Sequence, residues 1–260
     1  MCIRDRKETL LPKFVTVSNI VSKDPMQVIE GNERVIRPRL ADARFFFESD
    51  KQTPLASRMG LLRKIVFQEK LGTVYDKSVR VAKLAVAIAA DLGADTDQCE
   101  RAAMLSKCDL LTSMVGEFAD LQGLMGSYYA QHDGEAEEVC SALNEQYLPR
   151  YAGDSLPEST TGAVLAMADK LDAMVGLFGI GQPPTGSKDP FALRRSAIGI
   201  LRILVEKELD LDIVKAIEAS LASYSDIELQ ANTTNQVCEF LLERFRAWYL
   251  ETGISSEVFQ

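Results

Sequence analysis

The chain reads as a mainly α protein with a short β segment near its N-terminus, and three observations predict this. Apolar residues recur at helical spacing through most of the sequence, most plainly over residues 163–178 and after Asp76. Helix punctuation brackets these stretches: Asp76, Asp95-Thr96 and Asp189-Pro190 mark starts, while Gly72, Gly93 and Pro149 mark stops. Residues 14–20 (FVTVSNI) are β-branched and alternate in the manner of a strand.

Taken in order, the 14–20 strand is an edge whose partners would lie in sequence preceding the chain. Leu61, Leu62, Ile65 and Val66 predict a helix that Gly72 ends. Asp76 then caps a helix with Val79, Ala82, Leu84 and Ile88 inward, stopped by Gly93. Asp95-Thr96 opens the next, through Ala102, Leu105 and Leu110. Further helices are expected over residues 114–121, over 135–147 with Pro149 as the stop, and over 163–178. After a proline-glycine turn, Pro190 starts a helix carrying Ile198, Leu201 and Val205, and two more follow over 211–223 and 235–250. This divides the chain into residues 1–53, the end of a β-containing domain plus connector; residues 54–208, a helical domain; and residues 209–260, the start of a following helical region.

Composition narrows the function classes. Of 260 residues, 47% are apolar and 26% charged, the balance of a globular chain able to bury a substantial core. No apolar run approaches the ~20 residues of a membrane span and no signal-peptide pattern opens the chain, so a cytoplasmic protein is expected. Cys2, Cys99, Cys108, Cys140 and Cys238 lack paired spacing, which argues against a disulfide framework or zinc ribbon. A net charge of −9 excludes nonspecific nucleic-acid binding by the whole surface but not by a local patch. Two basic groups stand out: Arg34, Arg37, Arg39 and Arg44, and Lys188, Arg194, Arg195 and Arg202.

The second group sits in the most specified stretch of the chain, residues 178–204 (FGIGQPPTGSKDPFALRRSAIGILRIL). Pro183-Pro184-Thr185-Gly186 cannot continue a helix, and Asp189 can cap the one that follows. Arg194 and Arg195 come in its first turn, a placement that either offers cations to a partner or leaves an ordinary solvated basic face. Gly176, Gly179 and Gly181 follow a helix rather than a strand and lack a closing Lys-Ser/Thr pair, so they read as a helix stop and tight turn, not a phosphate loop. Among the aromatic groups Phe45-Phe46-Phe47 and Tyr128-Tyr129, consecutive side chains diverge on a helix, so most belong to the core.

The TGSKDPFALRR turn resembles a hallmark of the β subunit of bacterial heterotetrameric glycyl-tRNA synthetase. Similar stretches are GNERVIRPRLADARFFFESD at residues 31–50, FQEKLGTVYDKSVR at 67–80, LSKCDLLTSMVGEF at 105–118, LQGLMGSYYAQHDGE at 121–135, LNEQYLPRYAGDSLP at 143–157 and ADKLDAMVGLFGIG at 168–181. The resemblance runs from about Lys13 onward. Residues 1–6 (MCIRDR) fit neither it nor a structural pattern and read as an artefactual start. The ending SSEVFQ and the greater length of the family's chains imply an internal fragment. What the resemblance implies is part of an ATP-dependent glycine-tRNA ligase, with an α subunit, a second β subunit and tRNA specific for glycine as partners. ATP and magnesium would act through the α subunit, with no cofactor bound by this stretch.

The helical middle also looks like an HD-type domain, a scaffold on which histidines and aspartates from several helices hold a metal. Only one histidine is present, His132, and it falls at a turn downstream of the expected position. Where the scaffold places its His-Asp pair the chain reads Lys107-Cys108-Asp109, and where an earlier ligand belongs it reads Asp76-Lys77-Ser78. Asp109, Asp169 and Asp172 remain as candidate carboxylates, the latter two on one helix face at i, i+3. With Cys108 they mark a dismantled site, and Lys107 would oppose a cation. The site residues expected to act are therefore Lys188, Arg194 and Arg195 on tRNA phosphates, with Arg37 and Arg39 as a second patch. Residual metal-dependent phosphohydrolysis, a scaffold role and an interface role for residues 189–195 stand as alternatives.

Overall fold

The computed structural model describes residues 2–4, 10–251 and 253. They form two compact units, Met1–Phe45 and Phe46–Gln260. The mainly α prediction holds: the described residues include ten α-helices, three 3-10 helices and only two small two-stranded antiparallel sheets.

In the first unit, strand β1 (Cys2–Arg4) pairs with β2 (Leu10–Phe14), Cys2 opposite Phe14 and Arg4 opposite Leu10. The strand predicted over residues 14–20 is thus displaced toward the N-terminus, and its partner lies within the chain. Val15 and Val17 have strand-like side chains but no strand to bond with, and both are exposed. Backbone pairing decides the element, not β-branching. Residues 1, 5 and 6 of the opening MCIRDR, and the closing SSEVFQ, lie outside the described residues. Helix α1 (Pro25–Asp50) begins in this unit, with Asp24 Oδ1 accepting from the amides of Met26 (3.1 Å) and Gln27 (3.3 Å) and Pro25 in the first position. Pro38 inside it obscures the helix in the sequence.

The second unit opens with a 3-10 stretch, Leu55–Lys64, and a hairpin of β3 (Val66–Gln68) and β4 (Gly72–Thr73), in place of the helix predicted from Leu61 to Val66. Leu62 is buried but Val66 is exposed, so the apolar pattern does not form one face. Gly72, at φ 86°, turns the chain into helix α2 (Val74–Leu92) rather than ending a helix. Thr73 is the N-cap and Asp76 its reciprocal partner: Thr73 Oγ1 accepts from the Asp76 amide, and Asp76 Oδ2 accepts from the Thr73 amide at 2.8 Å. Gly93, left-handed, closes α2 as predicted, and Asp95 caps α3 (Thr96–Leu105) through the Asp97 and Gln98 amides.

A 3-10 turn, Cys108–Leu111, leads into α4 (Ser113–Glu117) and α5 (Leu124–His132). His132 is therefore the last residue of a helix, not a turn residue, and is exposed. Helices α6 (Glu137–Glu145), α7 (Thr160–Gly179), α8 (Leu193–Glu206), α9 (Ile213–Ala222) and α10 (Thr233–Glu251) complete the unit. Helix α7 is its axis: apolar almost all round, it packs against α2, α3, α6, α8, α9 and α10. Buried Asp50 fixes the end of α1, its carboxylate accepting from the Ser113 and Met114 amides (both 2.9 Å) and the Tyr129 hydroxyl (3.1 Å).

The glycines of residues 176–181 divide by role. Gly181 (φ 74°) makes the expected turn. Gly176 and Gly179 lie inside α7, where neighbours press on the backbone; a Cβ on Gly176 would run into the Tyr224 hydroxyl and lie 2.9 Å from Leu71 Cδ1. We predict that Gly176→Ala lowers the denaturant midpoint by the equivalent of up to about 2 kcal/mol, an overpacking cost of about 1–3 kcal/mol outweighing the ~1 kcal/mol better helix propensity of alanine. An equal or raised midpoint would show that the contact relaxes.

Candidate functional site: a buried ion-pair centre beside a basic cavity

Helix α2 presents Lys77 and Arg80 on one face, α7 presents Asp169 and Asp172, and the turn after α3 adds Lys107. The Lys77 ammonium lies 3.2 Å from Asp169 Oδ1 and 3.1 Å from Asp172 Oδ2, and donates to the Asp169 carbonyl at 2.9 Å. Lys107 Nζ lies 3.3 Å from Asp169 Oδ2 and donates to Gln146 Oε1 at 2.7 Å. Arg80 Nε donates to Asp172 Oδ1 at 2.8 Å, Nη1 donates to the Leu71 carbonyl at 3.0 Å, and the guanidinium lies over the Tyr224 ring. Tyr224 in turn donates to the Asp172 carbonyl at 2.8 Å. Asp172 is fully buried, whereas Asp169 keeps 17% of its side chain exposed.

Charges this far from water persist only because they are paired. Burial opposes the charge on Lys107, but the Asp169 carboxylate and the Tyr147 oxygen together outweigh it and raise the ammonium above its usual value. Burial would likewise raise Asp169; Lys107 and Lys77 overcome that and hold its carboxyl well below the ordinary carboxylate range. On the same helix Lys170 is drawn down to about 8 by burial and the neighbouring Lys107 and Lys77 charges, Asp169 opposing. Its ammonium donates to the carbonyls of Leu148 (2.7 Å), Gln146 (3.1 Å) and Ala166 (3.4 Å).

The four predicted vestigial positions therefore separate. Asp169 and Asp172 come together, as the i, i+3 spacing predicts, but their oxygens face ammonium and guanidinium groups. Asp109 stands apart: no contact joins it to Asp169 or Asp172 among the described residues. Its Oδ2 accepts from the Gly123 amide at 2.5 Å, its Oδ1 is buried without a partner, and burial raises its pKa. Cys108 is buried, its thiol pushed up to about 12 by desolvation, with Asp109 adding to the rise, which disfavours the thiolate. Among the described residues no three His, Cys, Asp or Glu side chains could hold a metal ion. An HD-type metal does not fit these residues, because lysines take the place of imidazoles and occupy the carboxylates. Sequence reading singled out Lys107 for this effect but missed Lys77 and Arg80 as partners; their i, i+3 spacing opposite Asp169 and Asp172 is the signal.

Beside this centre, α8 brings the basic residues to the surface. The 185–188 turn is closed by paired backbone bonds between Thr185 and Lys188 (3.1 and 2.8 Å), leaving the Lys188 side chain exposed. Asp189 caps as predicted, Oδ1 accepting from the Leu193 amide (2.8 Å) and Oδ2 from that of Arg194 (3.0 Å). Yet the helix begins at Leu193 rather than Pro190, because Ala192 is left-handed (φ 53°). Arg194 folds back on the turn, donating to the Gly186 carbonyl at 2.9 Å, whereas Arg195 reaches only the Arg150 carbonyl, at 3.4 Å. Arg202 is spent on Glu206 and the Asp154 carbonyl. A cavity of about 550 Å³ opens here, with Arg150, Arg195, Lys170, Tyr147 and Asp169 in its wall. A smaller one of about 230 Å³ adjoins it along Pro149 and Arg195 and takes in Tyr151, Arg194 and Arg202. In the first unit, Arg37 and Arg39 lie exposed on α1, Arg37 paired with Glu33 at 2.8 Å.

These features define a mainly α-helical domain whose central carboxylates are consumed by internal ion pairs, leaving a basic, cavity-bearing surface open to a ligand. The chain belongs to the glycyl-tRNA synthetase beta subunit family, whose model matches residues 1–260. That match takes in residues 1–6, which sequence reading set outside the family. The chain is 57% identical over 255 residues to the glycine–tRNA ligase beta subunit of Hahella chejuensis, covering 98% of this chain and 37% of that protein. It is 55% identical over 258 residues to the protein of that name from Tolumonas auensis (99% and 37%), and 54% identical over 259 residues to that from Pseudomonas aeruginosa (100% and 38%). The chain thus spans under two-fifths of the length of these curated relatives. No helix among the described residues is long and apolar enough to cross a membrane.

Removing one partner from the centre leaves a buried charge uncompensated, so Lys107→Met and Asp172→Asn are each expected to cost about 3–5 kcal/mol in denaturant unfolding. Asp169 also sets an acid limit. Its folded pKa is depressed, so its contribution is intact above the ordinary value of 3.8 and drains only as pH falls below it. Stability measured across that window should fall less steeply in Asp169→Asn than in the parent, and equal slopes would mean the carboxylate is not held as described.

Proposed function

We propose that this chain serves as the part of a glycine–tRNA ligase β subunit that holds tRNA, in a cytoplasmic heterotetramer of α and β subunits. Glycine and ATP activation, with its magnesium, would take place on the α subunit. The observation that carries this reading is the surface flanking α8, where Lys188, Arg195 and Arg150 present cations that no carboxylate neutralises among the described residues. Guanidinium groups suit phosphate oxygens, and exposed Tyr151 and Phe191 supply ring faces nearby. An interface role for residues 189–195 would place both arginines on carboxylates; Arg194 leans only on Asp189 of its own turn, at 3.9 Å. Family membership points the same way, since the relatives carry the name glycine–tRNA ligase beta subunit. Hydrolysis finds no support in a centre whose carboxylates are already paired.

The test is tRNA binding by the assembled α and β subunits across a salt series. Replacing Lys188, Arg194 and Arg195 by alanine together should weaken binding of glycine-specific tRNA by about tenfold or more. It should also reduce the slope of log affinity against log salt by about 2–3, near one unit per phosphate contact. Arg37→Ala with Arg39→Ala tests the second patch in the same way. Unchanged affinity and slope in both variants would assign tRNA recognition to other parts of the subunit.

A further inference from the structure

The 550 Å³ cavity is not explained by contacts of a duplex backbone with an open basic face. Of the ion-pair centre only Asp169 lines this cavity, and Lys77 and Lys107 behind it already pair its carboxylate, so that part of the wall does not present an unpaired negative charge to an anion. At its mouth stand two guanidinium groups, those of Arg150 and Arg195. Arg150 has no side-chain partner among the described residues, and Arg195 has only the 3.4 Å bond to the Arg150 carbonyl. In the wall, Tyr147 contacts Lys107 through its oxygen, which leaves the hydroxyl hydrogen to donate, and the Ser196 hydroxyl adds a second donor. Lys170, tied to three carbonyls, contributes positive field without touching a ligand. Asp120 is the other acid in the wall and is exposed. The remaining wall includes apolar Pro149, Ala119 and Ala192, and the volume falls in the ~300–1,000 Å³ range of small-molecule sites, more room than a bare anion fills.

We infer that this cavity binds a single nucleotide, its phosphate between Arg150 and Arg195 and its nucleoside against the Tyr147–Pro149 wall, with no metal ion required. Arg150 and Arg195 supply the positive charge, and Lys170 in the wall and Lys77 and Lys107 behind Asp169 add to the field. The nucleotide is either free or an unpaired residue of an RNA strand; both offer one phosphate and one nucleoside. The inference does not depend on the tRNA reading, since a free nucleotide would satisfy it.

The experiment is calorimetric titration of the assembled α and β subunits with adenosine 5′-monophosphate, adenosine and inorganic phosphate, each with and without EDTA. Because the α subunit has a nucleotide site of its own, the signal is taken as the difference between the parent and Arg150→Ala/Arg195→Ala. The expected result is a class of sites for the monophosphate, unchanged by EDTA, that weakens about tenfold or more in the double variant. Adenosine and inorganic phosphate should each bind these sites at least about tenfold more weakly than the monophosphate. Displacement of the monophosphate by tRNA with an intact single-stranded end, but not by trimmed tRNA, would assign the cavity to RNA. Failure of both to displace it would assign it to a free nucleotide. Equal binding of phosphate and monophosphate, dependence on metal, or no difference between parent and variant would each overturn the inference. Monophosphate binding without an arginine effect on tRNA would sink the tRNA reading alone.

Discussion

The second unit depends on keeping Asp169 and Asp172 charged inside a helix that is otherwise apolar. Helix α7 runs through the centre of that unit, and two carboxylates on such an element would be untenable without partners. Lys77 and Arg80 arrive from α2, and Lys107 arrives from the turn after α3. Those contacts fix the rotation of α2 and the position of that turn against α7 more narrowly than apolar packing could, because an ammonium and a carboxylate must meet within about 3 Å. The secondary ties follow from them: Gln146 accepts from Lys107 and donates to the Ser106 and Leu143 carbonyls, linking α6 to the same centre. Tyr224 carries the restraint outward from Asp172 to the segment after α9.

The same network explains how a scaffold of this kind can lack hydrolytic chemistry and still retain a cavity. A divalent ion needs carboxylate or imidazole lone pairs directed at one point. Here those lone pairs are directed at three nitrogen cations from two segments, and Asp109, which could have joined them, is turned to the Gly123 amide. Those pairings leave neither Asp169 nor Asp172 free to ligate a metal ion.

Much of the architecture was legible because local signals and tertiary packing agree. Gly93, Asp95 and the apolar run of α7 each say the same thing at short and long range. The misreadings arise where one dipeptide or pattern serves two geometries. Asp24-Pro25 opens a helix at once, whereas Asp189-Pro190 opens one only at Leu193, since the backbone at Ala192 reverses hand first. Leu61, Leu62, Ile65 and Val66 have helical spacing, but Leu62 alone of them is buried and Val66 belongs to a hairpin. Helix α5 carries little amphipathic pattern and has Gly126 inside it and left-handed Gly123 just before it; Gly126 permits the close approach of Asp109, and Gly123 that of Tyr147.

The site was legible in kind but not in membership, and the reason is physical. A spacing rule places Asp169 and Asp172 on one face, but it cannot say which cations will meet them, because Lys77 and Lys107 are distant in sequence. The arginines illustrate the converse. Arg194, Arg195 and Arg202 look equivalent in sequence, yet the first folds onto Gly186, the third onto Glu206, and the second is left over the cavity. Of three adjacent guanidinium groups, the one that can reach a ligand at least cost is thus the one with fewest internal bonds. Arg150, invisible to a search for basic clusters because it stands alone in sequence, joins it there through the fold. The pair at the cavity is thus one that no linear motif contains, and the hallmark turn ties down Arg194 through the Gly186 carbonyl while Arg195 reaches only the Arg150 carbonyl.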